Sequence, residues 1–283
     1  RDLNFKSKLS YADSSRTDYG DINNDGITEG LMEEMQSGEG FTPIRRFSGT
    51  FEGNNKILEN IYINRTNDSQ IGLFYEITSN AIVKDLSISG TITSSNSYVG
   101  AIAGGVNPNG EGGRIENCHN YGDIKGVSGN QLEIGGISGE QGSISRCNNY
   151  GNISGRTTQY WSWGSGRNNC NSGGIVGDTY GDTFYCINYG NVYAKAENGA
   201  SAAAGGIAGY SGFYGSGRVQ YCINSGNSII SQREKKESGK YVNTSGNLGR
   251  ILGVKSGYAT GGIKECYSSD QTLLNGQIPT DKI

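Results

Sequence analysis

One ten-residue phrase recurs along this chain, and that recurrence limits the fold more than any other property of the sequence. Ile115 to Ile124 reads IENCHNYGDI, Ile144 to Ile153 reads ISRCNNYGNI, Thr183 to Val192 reads TFYCINYGNV and Val219 to Ser228 reads VQYCINSGNS. Ile263 to Thr272, IKECYSSDQT, is a worn copy. A unit this short cannot bury a core alone. Copies stacked on one another can, and their like positions then form columns.

A second phrase precedes each copy. It reads Ile71-Gly72-Leu73-Phe74, Val99-Gly100-Ala101-Ile102-Ala103-Gly104 and Ile134-Gly135-Gly136-Ile137-Ser138-Gly139. It continues as Gly173-Gly174-Ile175-Val176-Gly177, Gly205-Gly206-Ile207-Ala208-Gly209 and Leu248-Gly249-Arg250-Ile251-Leu252-Gly253. Small and apolar residues alternate over a strand's length, which predicts a strand packed tightly on one face. The distances between copies are uneven, and the slack falls in polar, Gly-rich stretches. Fixed strands with variable loops are the signature of a solenoid.

Composition agrees. Only 34% of the 283 residues are hydrophobic, 47 are Gly and three are Pro. This favours a turn-rich all-β chain over helices around a thick core, and disorder is disfavoured because the apolar positions recur in step. A net charge of -3 excludes a basic nucleic-acid surface. The densest basic run, Arg233-Glu234-Lys235-Lys236, reads as a solvated polar loop. No apolar run is long enough to span a membrane. The chain starts at Arg1 with no visible signal peptide, which reads as a piece excised from a longer protein. As a fragment it is expected to be a monomer.

Five of the six cysteines share one repeat position. Aligning Leu58-Glu59-Asn60-Ile61 and Val83-Lys84-Asp85-Leu86 with Ile115-Glu116-Asn117-Cys118 extends the column to Ile61, Leu86, Cys118, Cys147, Cys186, Cys222 and Cys266. A position that exchanges Cys for Ile and Leu is a buried apolar slot, so stacked thiols are favoured over disulfides. Cys170 falls in a loop outside the column and has no assigned role. Asn120, Asn149, Asn188 and Asn224 follow two residues after their cysteines, on the same side by period-two alternation. They are expected to stack as an amide ladder at a corner.

Residues 1–45 form a lead-in and 46–283 the repeat array. Within the lead-in, Asp21, Asn23, Asp25, Ile27 and Glu29 match the first half of a calcium loop, Ile27 through its carbonyl and Glu29 through water. Met32 stands where a bidentate acid is expected, so a metal-free Asn/Asp/Gly turn is the alternative. Ile27, Leu31 and Met35 then predict a short helix over 28–36, ended by Gly38, that would cap one end of the stack.

These phrases resemble the GLUG-motif repeat region of bacterial cell-surface proteins. The resemblance rests on the FSGTFEGNN opening at Phe47, the recurrent Gly-Gly-Ile-x-Gly strand and the CxNYGNI turn, and covers residues 40 to about 273. It implies an all-β fold, a right-handed parallel β-helix or related solenoid, exported and attached to the cell surface. Similar arrays accompany immunoglobulin A metalloproteases and adhesins of Gram-positive bacteria. Two residues depart from the pattern: Tyr75 where a Gly is usual, and Arg250 in place of the second Gly of its strand.

Candidate chemistry is sparse. His119 is the only His and turns outward by alternation, which argues against Ser/His/Asp or Cys/His catalysis. The best binding candidate is the insertion holding Arg156, Tyr160, Trp161, Trp163 and Arg167, since Trp, Tyr and Arg anchor interfaces and stack on sugars. The alternative is that both Trp fold over the flank as a local core. Asp178 with Asp182, and Glu133 with Glu140, are the nearest approach to the acid pairs of a carbohydrate-active β-helix enzyme. The reading is a non-catalytic extracellular solenoid, a spacer and platform for a glycan or host protein. The rivals are a polysaccharide lyase or glycoside hydrolase, or an accessory domain of a surface metalloprotease.

Overall fold

A computed structural model describes residues 3–4, 38–95, 97–106, 113–159, 169–211, 217–237, 240–255, 262–269 and 271–276. Among these residues there is no helix, and every strand belongs to one of three sheets. Pairing between the strands is parallel, apart from one hairpin, and an isolated antiparallel bridge joins Gly40 to Ile63. The architecture is all-β and of the solenoid type. The expected helix over 28–36 and the calcium-loop residues 21–29 lie outside the described residues.

Each coil gives one strand to each sheet. In the first coil these are Thr50–Arg65, Gln70–Ile71 and Phe74–Ile77. In the second they are Ile82–Ser94, Tyr98–Val99 and Ala103–Val106. From the third coil the first strand breaks into three pieces, Arg114–Glu116, His119–Asn120 and Asp123–Ser128. The second and third sheets are each six strands deep. Like positions recur after 29, 39, 36 and 44 residues along Asn120, Asn149, Asn188, Asn224 and Ser268. The register absorbs these unequal intervals without slipping.

The breaks are corners. The residue before each position of the Leu86–Cys266 column has left-handed backbone: Asp85, Asn117, Arg146, Tyr185, Tyr221 and Glu265 have φ between 49° and 55°. Such a conformation costs an L-residue roughly 1–2 kcal/mol. The second corner follows at Gly122, Gly151, Gly190 and Gly226. A Cβ on Gly151 would stand 1.9 Å from the Gly122 carbonyl oxygen, and one on Gly190 1.8 Å from that of Gly151. Only Gly permits the coils to close to hydrogen-bonding distance there.

Between the corners sit the two interior ladders. Leu86, Cys118, Cys147, Cys186 and Cys222 are fully buried, and Cys266 is half-buried in the last described coil. All six cysteines are free thiols. The ladder thiols bond the backbone: Cys147 Sγ donates to the Ser145 carbonyl at 3.2 Å and Cys186 Sγ to that of Phe184 at 3.2 Å. Burial pushes the Cys147 thiol well up from its ordinary range.

Ile61 does not head this ladder. The register pairs Lys56 with Leu86 and Ile61 with Gly90, because extra residues bulge the first coil at Asn54-Asn55 and again at Asn60, all with positive φ. The local likeness of Leu58–Ile61 to later copies is therefore out of register. Cys170 is also relocated: it lies in the strand Asn169–Gly173, aligned with Leu132 and Ala202, and packs in the core. Burial raises its thiol to about 12.

The asparagine ladder is hydrogen-bonded from coil to coil. Nδ2 of Asn120 donates to Oδ1 of Asn149 at 2.8 Å, Asn149 to Asn188 at 2.8 Å, and Asn188 to Asn224 at 2.9 Å. The second proton of each of these three amides goes to a glycine carbonyl two residues on, Gly122, Gly151 or Gly190. The amide oxygens of Asn120 and Asn188 also accept from the Gly122 and Gly190 backbone N–H. Asn188 thereby makes all four bonds an amide can make, and Asn120 and Asn149 make three each, while buried.

Both departures from the repeat pattern have a packing cause. A Cβ on Gly136, Gly174 or Gly206 would meet the amide carbon of Asn149, Asn188 or Asn224 at 2.4, 2.3 and 2.5 Å. Arg250 takes the corresponding place in the coil where the ladder residue has become the smaller Ser268. Gly104, Gly139, Gly177 and Gly209 lie against the second-sheet strand of the preceding coil. Tyr75, one coil before Gly104, faces Ile44 and Arg45 instead; its hydroxyl is 2.7 Å from Ser69 Oγ and Arg45 covers its ring.

The basic run is not a loop. Arg233–Lys236 belongs to the strand Ser228–Glu237, which folds into an antiparallel hairpin with Lys240–Ser245.

Gly174→Ala is expected to destabilise the fold by roughly 1–3 kcal/mol through overpacking. Gly105→Ala, whose Cβ meets only the Gln70 side chain at 3.1 Å, should stay within about 1 kcal/mol. Urea unfolding midpoints of the two variants check the contrast, and equal losses would contradict it. Native protein should offer a thiol reagent at most one site, Cys266, and that one slowly, because its hydrogen bond with Cys222 and its partial burial push its pKa up; all six thiols should react only after unfolding. Native thiols that react as fast as those of the unfolded chain would contradict the buried ladder.

Candidate functional site

With the interior filled by ladders, the chemistry available to a partner lies on the outer side of the corner. Strand alternation turns Asn120 and the cysteines inward and leaves three columns outside. The first is the left-handed column of Asn117, Arg146, Tyr185 and Tyr221. The second is His119, Asn148, Ile187, Ile223 and Tyr267, in register. The third is Tyr121, Tyr150 and Tyr189, continued by Ser225 and Ser269.

Six of the nine exposed large hydrophobic residues among the described ones belong to this face: Tyr121, Tyr150, Tyr185, Tyr189, Ile223 and Tyr267. Tyr121 and Tyr150 stack with centroids 4.6 Å apart and planes within 3°, and Tyr150 and Tyr189 at 4.8 Å and 4°. Tyr185 and Tyr221 form a second stack at 5.1 Å. The rings cover one another's faces along the axis of the stack, so solvent meets ring edges and a row of phenolic oxygens. Partial burial and the Tyr150 hydroxyl beside it raise the Tyr121 hydroxyl above its ordinary value, so it stays protonated at neutral pH. His119 is half-buried, and that burial lowers its pKa.

Next to the tyrosines runs an exposed amide ladder. Asn152 donates both its backbone N–H and Nδ2 to Asp123 Oδ1, at 2.7 and 3.1 Å. Asn191 does the same to Asn152 Oδ1, at 3.2 and 2.9 Å. The Tyr-Gly-Asn turn thus presents phenols and amides side by side, one set per coil.

The residues expected to bind a partner are placed differently. Arg156 lies at the exposed end of the strand Ile153–Thr157 and is held by Glu197 through two bonds of 2.9 Å, with Lys195 on the same carboxylate at 2.8 Å. The Arg156 guanidinium and the Lys195 ammonium hold the Glu197 carboxyl below its usual value. Tyr160, Trp161, Trp163 and Arg167 lie outside the described residues.

The acids separate into two groups. Asp182 is bound by the Arg218 guanidinium, which lowers its pKa. Glu133, Glu140 and Asp178 converge, with ligand oxygens all within 4.8 Å of one another. Glu133 and Asp178 are buried, so this trio does not face a polymer lying on the surface. The tyrosine columns were legible in the repeats as Tyr-Gly. Their stacking required the register to show that three successive copies place Tyr121, Tyr150 and Tyr189 directly over one another.

No family model matches the chain. It is 26% identical over 129 residues to Halomucin of Haloquadratum walsbyi, covering 44% of this chain and 1% of that protein. It is 35% identical over 105 residues to a protein of Evansella cellulosilytica described as a "Putative Gly-rich membrane protein", covering 35% of this chain and 10% of that one. The chain thus spans a small part of the curated relatives it matches. A crystal structure described as a "putative immunoglobulin A1 protease" of Bacteroides ovatus superposes with a TM-score of 0.53 at 18% identity, over 81% of this chain and 63% of that one. At that identity the likeness is one of fold.

Proposed function

We propose that this chain is a non-catalytic extracellular module of a surface protein. It would be a right-handed parallel β-helix of the GLUG-array kind, serving as spacer and binding platform. Handedness follows from the rule for parallel strands joined by crossovers. The names of the relatives, a halomucin, a Gly-rich membrane protein and an immunoglobulin A1 protease, support a surface or secreted setting. The anchor, any protease part and any further domain belong to the whole protein.

The observation that carries the platform reading is the stacked tyrosine column. A ladder of Tyr121, Tyr150 and Tyr189, with ring centroids 4.6 and 4.8 Å apart, presents a regular row of phenols flanked by amides. Such a row offers hydrogen bonds to hydroxyls and apolar edge to ring carbons, with its side-chain ordering already paid for by stacking. We take an extended glycan as the occupant, with a host protein as the other outcome.

The test is a glycan array read with the wild-type chain, a Tyr121→Ala/Tyr150→Ala/Tyr189→Ala variant and a Trp161→Ala/Trp163→Ala variant. The expected result is at least tenfold weaker binding in the tyrosine variant, about 1.4 kcal/mol, with folding retained by circular dichroism. Loss confined to the tryptophan variant would move the site to the 155–167 insertion. Turnover of a glycan, abolished by one acid substitution, would sink the non-catalytic reading.

A further inference from the structure

We propose that the glycan taken by the tyrosine face is a carboxylated one, with the Arg146 guanidinium as the seat of its carboxylate. The inference rests on the platform reading above and names the chemistry of its ligand. Three successive turns carry the middle of the face. Arg146 to Asn152 reads RCNNYGN, Tyr185 to Asn191 reads YCINYGN and Tyr221 to Asn227 reads YCINSGN. Together they hold one charged side chain, that of Arg146.

Arg146 is exposed, at a left-handed corner with φ 55°. Its guanidinium carbon lies 6.0 Å from the centroid of the Tyr185 ring, and Tyr185 stacks in turn on Tyr221 at 5.1 Å and 11°. A guanidinium over a ring is attracted to the aromatic face and keeps its N–H fork for another acceptor. Among the described residues no carboxylate pairs with it. Other arginines of the same flank are occupied: Arg114 lies 3.5 Å from Glu116, Arg156 is bound by Glu197 and Arg218 by Asp182. A planar fork of N–H donors matches a carboxylate through two parallel bonds.

The surroundings favour an isolated carboxylate over a dense row of anions. The preceding coil carries Glu116, beside Arg114, and Asp123, which accepts two bonds from Asn152. The chain as a whole has a net charge of -3. A polyanion lying along the face would meet these acids, and like charges repel. Next to Arg146, the Tyr150 and Tyr189 phenols and the Asn152 and Asn191 amides are neutral groups suited to sugar hydroxyls. The arrangement fits a largely neutral sugar chain with a carboxylate at one unit.

The test is the affinity of the full chain for matched oligosaccharides that differ in one glucuronate for glucose, with heparin as the densely sulfated chain, at low and physiological salt. The wild type is expected to bind the glucuronate member roughly fivefold more tightly at low salt, with the margin shrinking as salt rises. Arg146→Asn should bind the two members alike. It should keep its circular dichroism, since Asn117 holds the same backbone conformation one coil earlier. Lys125→Gln removes an exposed charge from that earlier coil and should keep the preference. Equal affinity of the two members in the wild type, tightest binding of heparin, or a preference lost in Lys125→Gln and kept in Arg146→Asn would overturn the proposal and leave the platform standing. Binding of neither member, by the wild type and the Tyr121→Ala/Tyr150→Ala/Tyr189→Ala variant alike, would remove the platform and this proposal with it.

Discussion

The buried asparagine ladder is the interaction on which the rest of the structure depends. Asn120, Asn149, Asn188 and Asn224 can occupy the interior only because each finds its partners in the neighbouring coil and in its own turn. A slip of one residue would carry these amides to the outer face and bring the outer column into the core. The ladder therefore fixes register between coils whose lengths differ widely, and it imposes the glycines. Gly136, Gly174 and Gly206 make room for the amides, while Gly122, Gly151, Gly190 and Gly226 let the turns meet. Where the ladder gives way to Ser268, the opposing position is released to Arg250.

The same constraint divides interior from exterior. Inside, Cys and Asn columns accept little change because each member touches its copies above and below. Outside, the columns vary: Asn117, Arg146, Tyr185, Tyr221 and Glu265 share one backbone conformation with quite different side chains. The interior supplies spacing and rigidity, and the exterior supplies chemistry at that spacing. The stacked tyrosines are the plainest case, since a fixed coil repeat places identical rings in contact without further design. The acid array arises the same way on two successive strand pairs, one carrying Glu133 and Glu140 and the next Asn171 and Asp178.

Much of the architecture could be read from the repeats, because a period-two pattern repeated in step leaves few alternatives to stacked parallel strands. The inward side of Asn120 and Cys118 follows from alternation alone. Register at the first coil did not follow. Leu58–Ile61 looks like later copies, yet the bulges around Asn54, Asn55 and Asn60 displace it, and nothing in a short motif reports a bulge elsewhere. Cys170 looked like loop because its strand, Asn169–Gly173, is polar on one side and follows a long insertion. The hairpin at Arg233 looked like loop because its residues are charged. Among the acids, sequence distance pointed to pairs within one loop or strand. The trio forms between coils, where only the register brings Asp178 beside Glu140.

The most direct test of the ladder's governing role is the unfolding free energy of Asn188→Ala against that of Asn191→Ala. Both residues belong to asparagine columns, but Asn188 is buried and Asn191 faces solvent. Removing Asn188 takes away donors and acceptors on which Asn149, Asn224 and Gly190 depend. Leaving such buried groups unmet costs about 1–3 kcal/mol each. The expected outcome is a loss of roughly 3 kcal/mol for Asn188→Ala and under about 1 kcal/mol for Asn191→Ala. Equal small losses for the two would show that register is held by the apolar columns and would contradict this account.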